Sequence, residues 1–229
     1  MNDVLRPFLR RFILVFFDDI LIYSKTWADH LRHLRAVLDE LRRHQLFVKR
    51  TKCSFGASSV AYLGHVISAA GVAMDPAKVQ AIHDWSAPRS PRVVPGFLGL
   101  AGYYRKFVHN YGAIAAPLTA LLKKEGFSWD DAAAAAFTAL KAAVTSAPVL
   151  AMPDFTKLFT VECDASTFGF GAVLVQEGHP VAFFSRPVAP HHHSLAAYER
   201  ELIGLVQAVR HWRRISGGGA SSSRPTTTA

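Results

Sequence analysis

Two neighbouring aspartates, Asp18 and Asp19, interrupt a run of aromatic and β-branched residues in FFDDILIYS, residues 16–24. Paired carboxylates on a rigid scaffold suit a hard cation such as Mg²⁺. Aspartate is also a common turn residue, so a plain hairpin turn accounts for the same positions. The favoured two-residue hairpin turns want glycine, which is missing here. A second acidic pair lies further on. Alternation along LFTVECDAS (158–166) puts Leu158, Thr160, Glu162 and Asp164 on one strand face and Phe159, Val161 and Cys163 on the other. Glu201 sits in a helix expected to pack across that sheet. A strand carboxylate facing a helix carboxylate suits two-metal phosphodiester hydrolysis, with ions about 3.5–4 Å apart. Two unrelated surface acids fit the spacing as well. Consecutive positions point in different directions, so His191, His192 and His193 read as a polar loop rather than a metal site.

The elements that must position these groups follow from hydrophobic period. Residues 12–17 and 20–23 are strand-like and too short for typical helices, which predicts a hairpin with Asp18 and Asp19 at its tip. Leu31, Leu34, Leu38 and Leu41, alternately three and four apart, predict an amphipathic helix with Thr26 as N-cap and Asp29 three residues later. Arg32, Arg35, Arg42 and Arg43 on its other side read as a solvated face rather than specific phosphate contacts. Residues 60–68 return to strand character, and 75–85 predict a short helix with Pro76 in its first turn. Two helices broken near Asn110–Gly112 follow, then an alanine-rich helix over 130–146 with Phe137, Leu140 and Val144 on one side. Strands over 158–166, 169–176 and 179–186 lead to a helix over 194–212 with Leu195, Leu202, Leu205 and Val209 near one stripe. From Ser216 the chain is low in complexity, and a disordered tail is expected.

Of 229 residues half are apolar and 11% aromatic, enough for a core. The net charge of +9 divides as +5 over residues 1–70, +3 over 71–150 and +1 over 151–229. It points to a polyanionic partner, nucleic acid before membrane. Two cysteines, Cys53 and Cys163, are too few for a disulfide framework or a cysteine zinc site. With no apolar run of membrane-spanning length and no signal-peptide pattern, an intracellular protein, cytoplasmic or nuclear and not secreted, is expected.

The chain resembles, over roughly residues 1–214, the Pol polyprotein of gypsy-class long-terminal-repeat retrotransposons of plant type. FFDDILIYS resembles the metal-binding hairpin of the reverse transcriptase palm, with Phe16 where many relatives have tyrosine. YLGHVIS…GVAMDPAKVQAI resembles the segment that grips the primer end, which implies nucleic-acid contacts from Leu63, Gly64 and His65. FLGLAGYYRKFV resembles the thumb helix along the template–primer duplex, where Gly99 and Tyr103, four apart, match the minor-groove positions. ECDAS and YERELIGLVQAVRHW resemble the start of the tethered ribonuclease H domain, with Asp164 and Glu201 as its first two metal-binding acids; Glu199 falls on a different helical face.

The resemblance implies a multidomain α+β and α/β fragment. Residues 1–74 would be the C-terminal part of the palm, 75–150 the thumb and connection helices, 151–215 the N-terminal part of a ribonuclease H-like domain and 216–229 the disordered tail. It implies Mg²⁺ or Mn²⁺ at Asp18, Asp19, Asp164 and Glu201. It also implies RNA-directed DNA synthesis, hydrolysis of RNA in RNA–DNA hybrids, a primer–template partner and, in the parent enzyme, deoxynucleoside triphosphates. The family's upstream palm aspartate and its acids beyond the Glu201 helix find no match here, so both sites are expected to be incomplete and the isolated chain inactive. The alternative is a non-catalytic nucleic-acid-binding remnant or domesticated interaction module. Pro95 falls within the thumb-like segment, where an interior proline costs about 3 kcal/mol unless the helix begins there.

Overall fold

The computed structural model describes residues 1–9, 11–122, 127–166, 169–188, 195–216 and 221–225, the last eight of which (214–216 and 221–225) by backbone alone. The chain forms two compact units, Met1–Ala69 and Ala70–Ala229.

The first unit is built on a hairpin of β1 (Ile13–Phe16) and β2 (Asp19–Ile22), followed by α1 (Trp27–Arg43) and a second hairpin of β3 (Ser59–Tyr62) and β4 (His65–Ser68). Thr26 caps α1 as its spacing requires: the Asp29 N–H donates to Thr26 Oγ1 at 3.1 Å. The buried face of α1 is narrower than its leucine pattern suggests. Val37 and Leu41 are buried with Leu5 and Ile13, whereas Leu31 is 50% exposed and Leu38 lies at the surface. A helix resting on a two-stranded hairpin covers only one line of side chains, and positions 37 and 41 are that line.

The second unit begins with β5 (Gly71–Met74), whose Val72 exchanges both backbone hydrogen bonds with Leu150. Helices α2 (Pro76–His83), α3 (Val94–Tyr103), α4 (Tyr111–Ile114), α5 (Ala116–Ala120) and α6 (Asp131–Thr145) enclose a core around Phe97, Tyr104, Phe107, Leu118, Phe137, Leu140 and Val144. Pro95 lies in the first turn of α3, where the N–H it lacks has no intrahelical partner in any case. The break expected near Asn110 is made by Asn110 itself, at φ +53°.

Strands β6 (Phe159–Ala165), β7 (Gly169–Gln176) and β8 (His179–Pro187) form an antiparallel meander with α7 (Ala197–Ser216) against it. The expected leucine stripe is only in part the packed face of α7: Leu205 packs against the sheet's core, but Leu202 and Val209 are exposed. Ala208 and Trp212 are buried in the sheet's core and Gly204 is buried against the strands, while Leu202 is 60% exposed. At Gly204 the helix lies so close to β6 and β7 that an added Cβ would come within 3.0–3.1 Å of Phe170 and Cys163, while further along Trp212 fills the core.

The tail also departs from expectation. Ser221–Pro225 forms β9, parallel to β6, in the order β8-β7-β6-β9. Backbone pairing on an open sheet edge needs no side-chain signal, so a low-complexity composition does not exclude it. The three histidines at 191–193 lie outside the described residues.

Candidate catalytic carboxylates and nucleic-acid-contacting turns

The first acidic pair divides between a turn and a strand. Asp19 opens β2 opposite Phe16, so the turn proper is Phe17–Asp18, and Phe17 supplies the positive φ, at +53°. Glycine or asparagine normally takes such a position. For a bulky residue the left-handed conformation costs about 1–2 kcal/mol, and strain of this kind gathers at functional sites. The Phe17 ring is 80% exposed and meets Phe16 edge to face at 4.8 Å. Both aspartates are exposed.

The end of β3 is linked to this hairpin by one hydrogen bond. Tyr62 Oη donates to the Asp19 backbone carbonyl at 3.5 Å, and burial, then the Asp19 charge, push the Tyr62 phenol up. Leu63 and Gly64 both have positive φ, +49° and +70°, the pairing of a tight hairpin turn with Gly64 at its second position. His65 is buried and its Nδ1–H donates to the Leu63 carbonyl at 2.7 Å, which fixes the ring against its own turn. One hydrogen bond thus ties Tyr62, the residue before the Leu63–Gly64–His65 turn, to the backbone of Asp19.

In the second unit, Gly99 and Tyr103 share the exposed side of α3, opposite the buried Phe97 and Ala101. Apart from its chain neighbours and the helix's own backbone, no atom of the described residues lies within 4 Å of where a Cβ on Gly99 would sit. An exposed mid-helix glycine costs about 1 kcal/mol against alanine, and nothing in the packing of α3 accounts for it.

Asp164 lies on β6 and Glu201 on α7, and contrary to expectation the strand carboxylate does not face that helix. Phe159, Val161 and Cys163 point into the α7-side core, so Asp164 alternates onto the other face of β6 and is exposed. Gly204, three residues after Glu201, is packed on Cys163: an added Cβ would lie 3.1 Å from the Cys163 Sγ and 3.0 Å from the Phe170 Cβ. This places Glu201 one turn away along the helix. The Cys163 thiol is pushed up to about 11 by burial first, then by the charges of Asp164 and Glu201. Glu199, the neighbouring acid, accepts the Ala196 N–H at 2.8 Å and so caps α7.

Sequence reasoning missed a companion of Asp164. Gly171 is its cross-strand partner, and the Asn110 Oδ1 occupies the place of the missing side chain, 2.3 Å from where a Cβ would lie. Directly paired residues share a face, so Asn110 sits on the face of Asp164. Next to it, the Gly112 N–H donates to Ser185 Oγ at 2.7 Å. The one signal in the sequence was Asn110 as a residue that tolerates left-handed backbone.

Comparison with known proteins places these features in a family. Residues 1–67 match the model for reverse transcriptase (RNA-dependent DNA polymerase), and residues 129–221 match that for the RNase H-like domain found in reverse transcriptase. The second match runs past Arg214, where the sequence pattern was expected to end. The chain is 38% identical over 222 residues to the retrovirus-related Pol polyprotein from transposon gypsy of Drosophila melanogaster, covering 91% of this chain and 21% of that one. It is 39% identical over 219 residues to that from transposon 297 of the same organism, covering 93% and 20%. Over 126 residues it is 52% identical to the uncharacterized mitochondrial protein AtMg00860 of Arabidopsis thaliana, covering 54% and 80%. The chain therefore spans about a fifth of the polyproteins it matches. Its fold is that of a foamy viral protease-reverse transcriptase solved with double-stranded DNA, with a TM-score of 0.89 at 21% identity, covering 100% of this chain and 41% of that one. A structure of the foamy viral enzyme with an RNA/DNA hybrid gives 0.87 at 22%, covering 100% and 32%. The chain belongs to the gypsy-class retrotransposon Pol family, carrying a reverse transcriptase segment followed by a ribonuclease H-like one.

Proposed function

We propose that this chain is the part of a retrotransposon reverse transcriptase–ribonuclease H that engages an RNA–DNA hybrid or a primer on an RNA template, through the 63–65 turn, Gly99 and Tyr103. The carrying observation is the exposed face of α3, where a glycine with nothing above it adjoins an exposed tyrosine, leaving backbone open to a duplex. In the parent enzyme, Asp18 and Asp19 would serve DNA synthesis from deoxynucleoside triphosphates, and Asp164 and Glu201 hydrolysis of the RNA strand. We assign 1–74 to the palm, 75–150 to thumb and connection and 151–215 to the ribonuclease H-like domain.

Mg²⁺ or Mn²⁺ is the cation these acids suit, since carboxylate oxygens are its preferred donors. The donor set present does not make a complete site. Among the described residues no group of three or more histidine, cysteine, aspartate or glutamate side chains could hold a metal. Two carboxylates at each place leave an ion short of both ligands and charge balance, so the chain binds hybrid without reacting with it. The test is one gel: chain 1–229 with a labelled DNA primer on RNA template, Mg²⁺ and nucleotides, beside an Asp18→Asn, Asp164→Asn double variant. The expected result is a retarded hybrid with neither primer extension nor template cleavage. Extension or cleavage that disappears in the double variant would show that a further residue or a second copy completes the site.

A further inference from the structure

The chain carries no acidic residue between Glu40 and Asp75, yet that stretch holds Arg42, Arg43, Lys49, Arg50 and Lys52. Within it, residues 46–55 form a loop in which apolar and cationic side chains alternate in blocks: Leu46, Phe47 and Val48, then Lys49, Arg50 and Lys52, then Phe55. Phe47 is 96% exposed and Phe55 52%. The loop has a defined shape. The Lys52 N–H donates to the Lys49 carbonyl at 2.8 Å, the Cys53 N–H to the Arg50 carbonyl at 3.1 Å and the Cys53 thiol to the Lys49 carbonyl at 3.3 Å. Its far end is seated on α1. The edge of the Trp27 ring lies on Gly56, where an added Cβ would come within 2.7 Å, and Trp27 is itself 63% exposed. Among the described residues, no ion pair involves Lys49, Arg50 or Lys52.

We propose that this loop, with Trp27 beside it, is a binding site for single-stranded nucleic acid, distinct from the carboxylates and from the α3 face. Cations without acidic partners follow a phosphate backbone, and exposed aromatic faces stack unpaired bases; proteins that hold single strands without sequence preference combine these two features. A duplex offers the same phosphates but keeps its base faces covered. Aromatic dependence for single strands alone is therefore the signature that separates this site from adsorption by charge.

The experiment is fluorescence anisotropy of a labelled oligo-dT of about 20 nucleotides, longer than the roughly 4–16 nucleotides one such platform covers, with the full chain. Phe47→Ala with Phe55→Ala is expected to weaken oligo-dT binding at least about tenfold, while a blunt duplex of equal length keeps its affinity within about twofold. Lys49→Gln, Arg50→Gln and Lys52→Gln together weaken both and lower the single-strand salt slope by about 2, near 0.7 for each lost phosphate contact. Both phenylalanines are largely exposed, and circular dichroism melting verifies that the variants fold. An aromatic variant that binds oligo-dT as wild type overturns the proposal. So does sedimentation showing that the rings join two copies with nucleic acid affinity untouched, or poly-glutamate displacing oligo-dT as well as unlabelled oligo-dT does, which would mark an acidic protein partner. None of these readouts uses the carboxylates, so the extension-and-cleavage gel and this experiment fail independently.

Discussion

Two glycines of the second unit predict opposite outcomes for one chemical change. Gly99 and Gly204 both lie within α-helices, and replacing a helical glycine with alanine gains about 1 kcal/mol of helix propensity. At Gly99 no other element of the described residues stands within 4 Å of the new methyl group, so the whole gain is realised. At Gly204 the methyl meets three atoms at once: the Phe170 Cβ at 3.0 Å and, at 3.1 Å, the Phe170 Cγ and the Cys163 Sγ. Two of these belong to the buried Phe170 side chain at its root on a central strand, so the helix itself must move. Overpacking of this kind costs about 1–3 kcal/mol, which outweighs the propensity gain. Gly99→Ala is therefore expected to stabilise by about 1 kcal/mol, and Gly204→Ala to destabilise by about 1 kcal/mol.

Urea denaturation followed by far-UV circular dichroism measures both, with the shift read from the midpoint at constant slope. In thermal melts the two variants should separate by roughly 4–8 °C, at about 2–4 °C per kcal/mol for a unit of this size. Cys163→Ala removes one of the three clashing atoms, so Gly204→Ala should cost less in that background, by about 0.5–1 kcal/mol. Midpoints that move in the same direction for Gly99→Ala and Gly204→Ala would refute the close packing of α7 on β6. The position inferred for Glu201 would fall with it.

Two further expectations rest on the same sheet. The Cys163 thiol is held near 11 in the folded chain against an ordinary 9.0. The folded state thus keeps a proton the unfolded state releases, and this contribution to stability, intact below pH 9, is lost as pH rises towards about 11. The loss is up to about 2–3 kcal/mol, visible as a steeper alkaline fall in the wild-type unfolding free energy than in Cys163→Ala. Gly171→Ala would place a methyl on the Asn110 Oδ1, the tip of an exposed side chain that can turn aside, so it should displace Asn110 at a cost within about 0.5 kcal/mol and leave amide exchange at Gly112, bonded to Ser185, unchanged; lost protection there would contradict this.

What the sequence made legible was local. Thr26 caps its helix because a cap is a hydrogen bond to a residue two or three positions away, which spacing alone specifies. The β6–β7–β8 meander and the α6 face of Phe137, Leu140 and Val144 likewise follow from period. Less legible was anything decided by how closely two elements approach. The packed line of α7 runs from Gly204, where a short distance to the sheet selects a residue without a side chain, through Ala208 to Trp212, and no leucine spacing announces that. The left-handed Phe17 runs against its own propensity, and β9 forms from backbone that its composition does not favour. For the carboxylates, residue type and family resemblance pointed to four positions. The companionship of Asn110 and Asp164 depends on register across two strands and was invisible.

These contacts share a feature that bears on what the acids are for. Asp19 is fixed by its strand pairing with Phe16 and by the hydrogen bond to its backbone carbonyl, Asp164 by a β-ladder opposite a glycine, and Glu201 by a helix seated at Gly204. In each case backbone and neighbours determine the position while the carboxylate holds nothing in place: among the described residues none of Asp18, Asp19, Asp164 and Glu201 takes part in an ion pair. An acid used for stability would show the reverse, a charge answered by a partner, as Glu40 and Asp29 do in α1. Surface carboxylates without partners add little to folding free energy, so Asp18→Asn with Asp164→Asn should melt with the wild type. A loss of hybrid binding or of any catalysis in that variant would then report the chemistry of the carboxylates rather than a damaged fold.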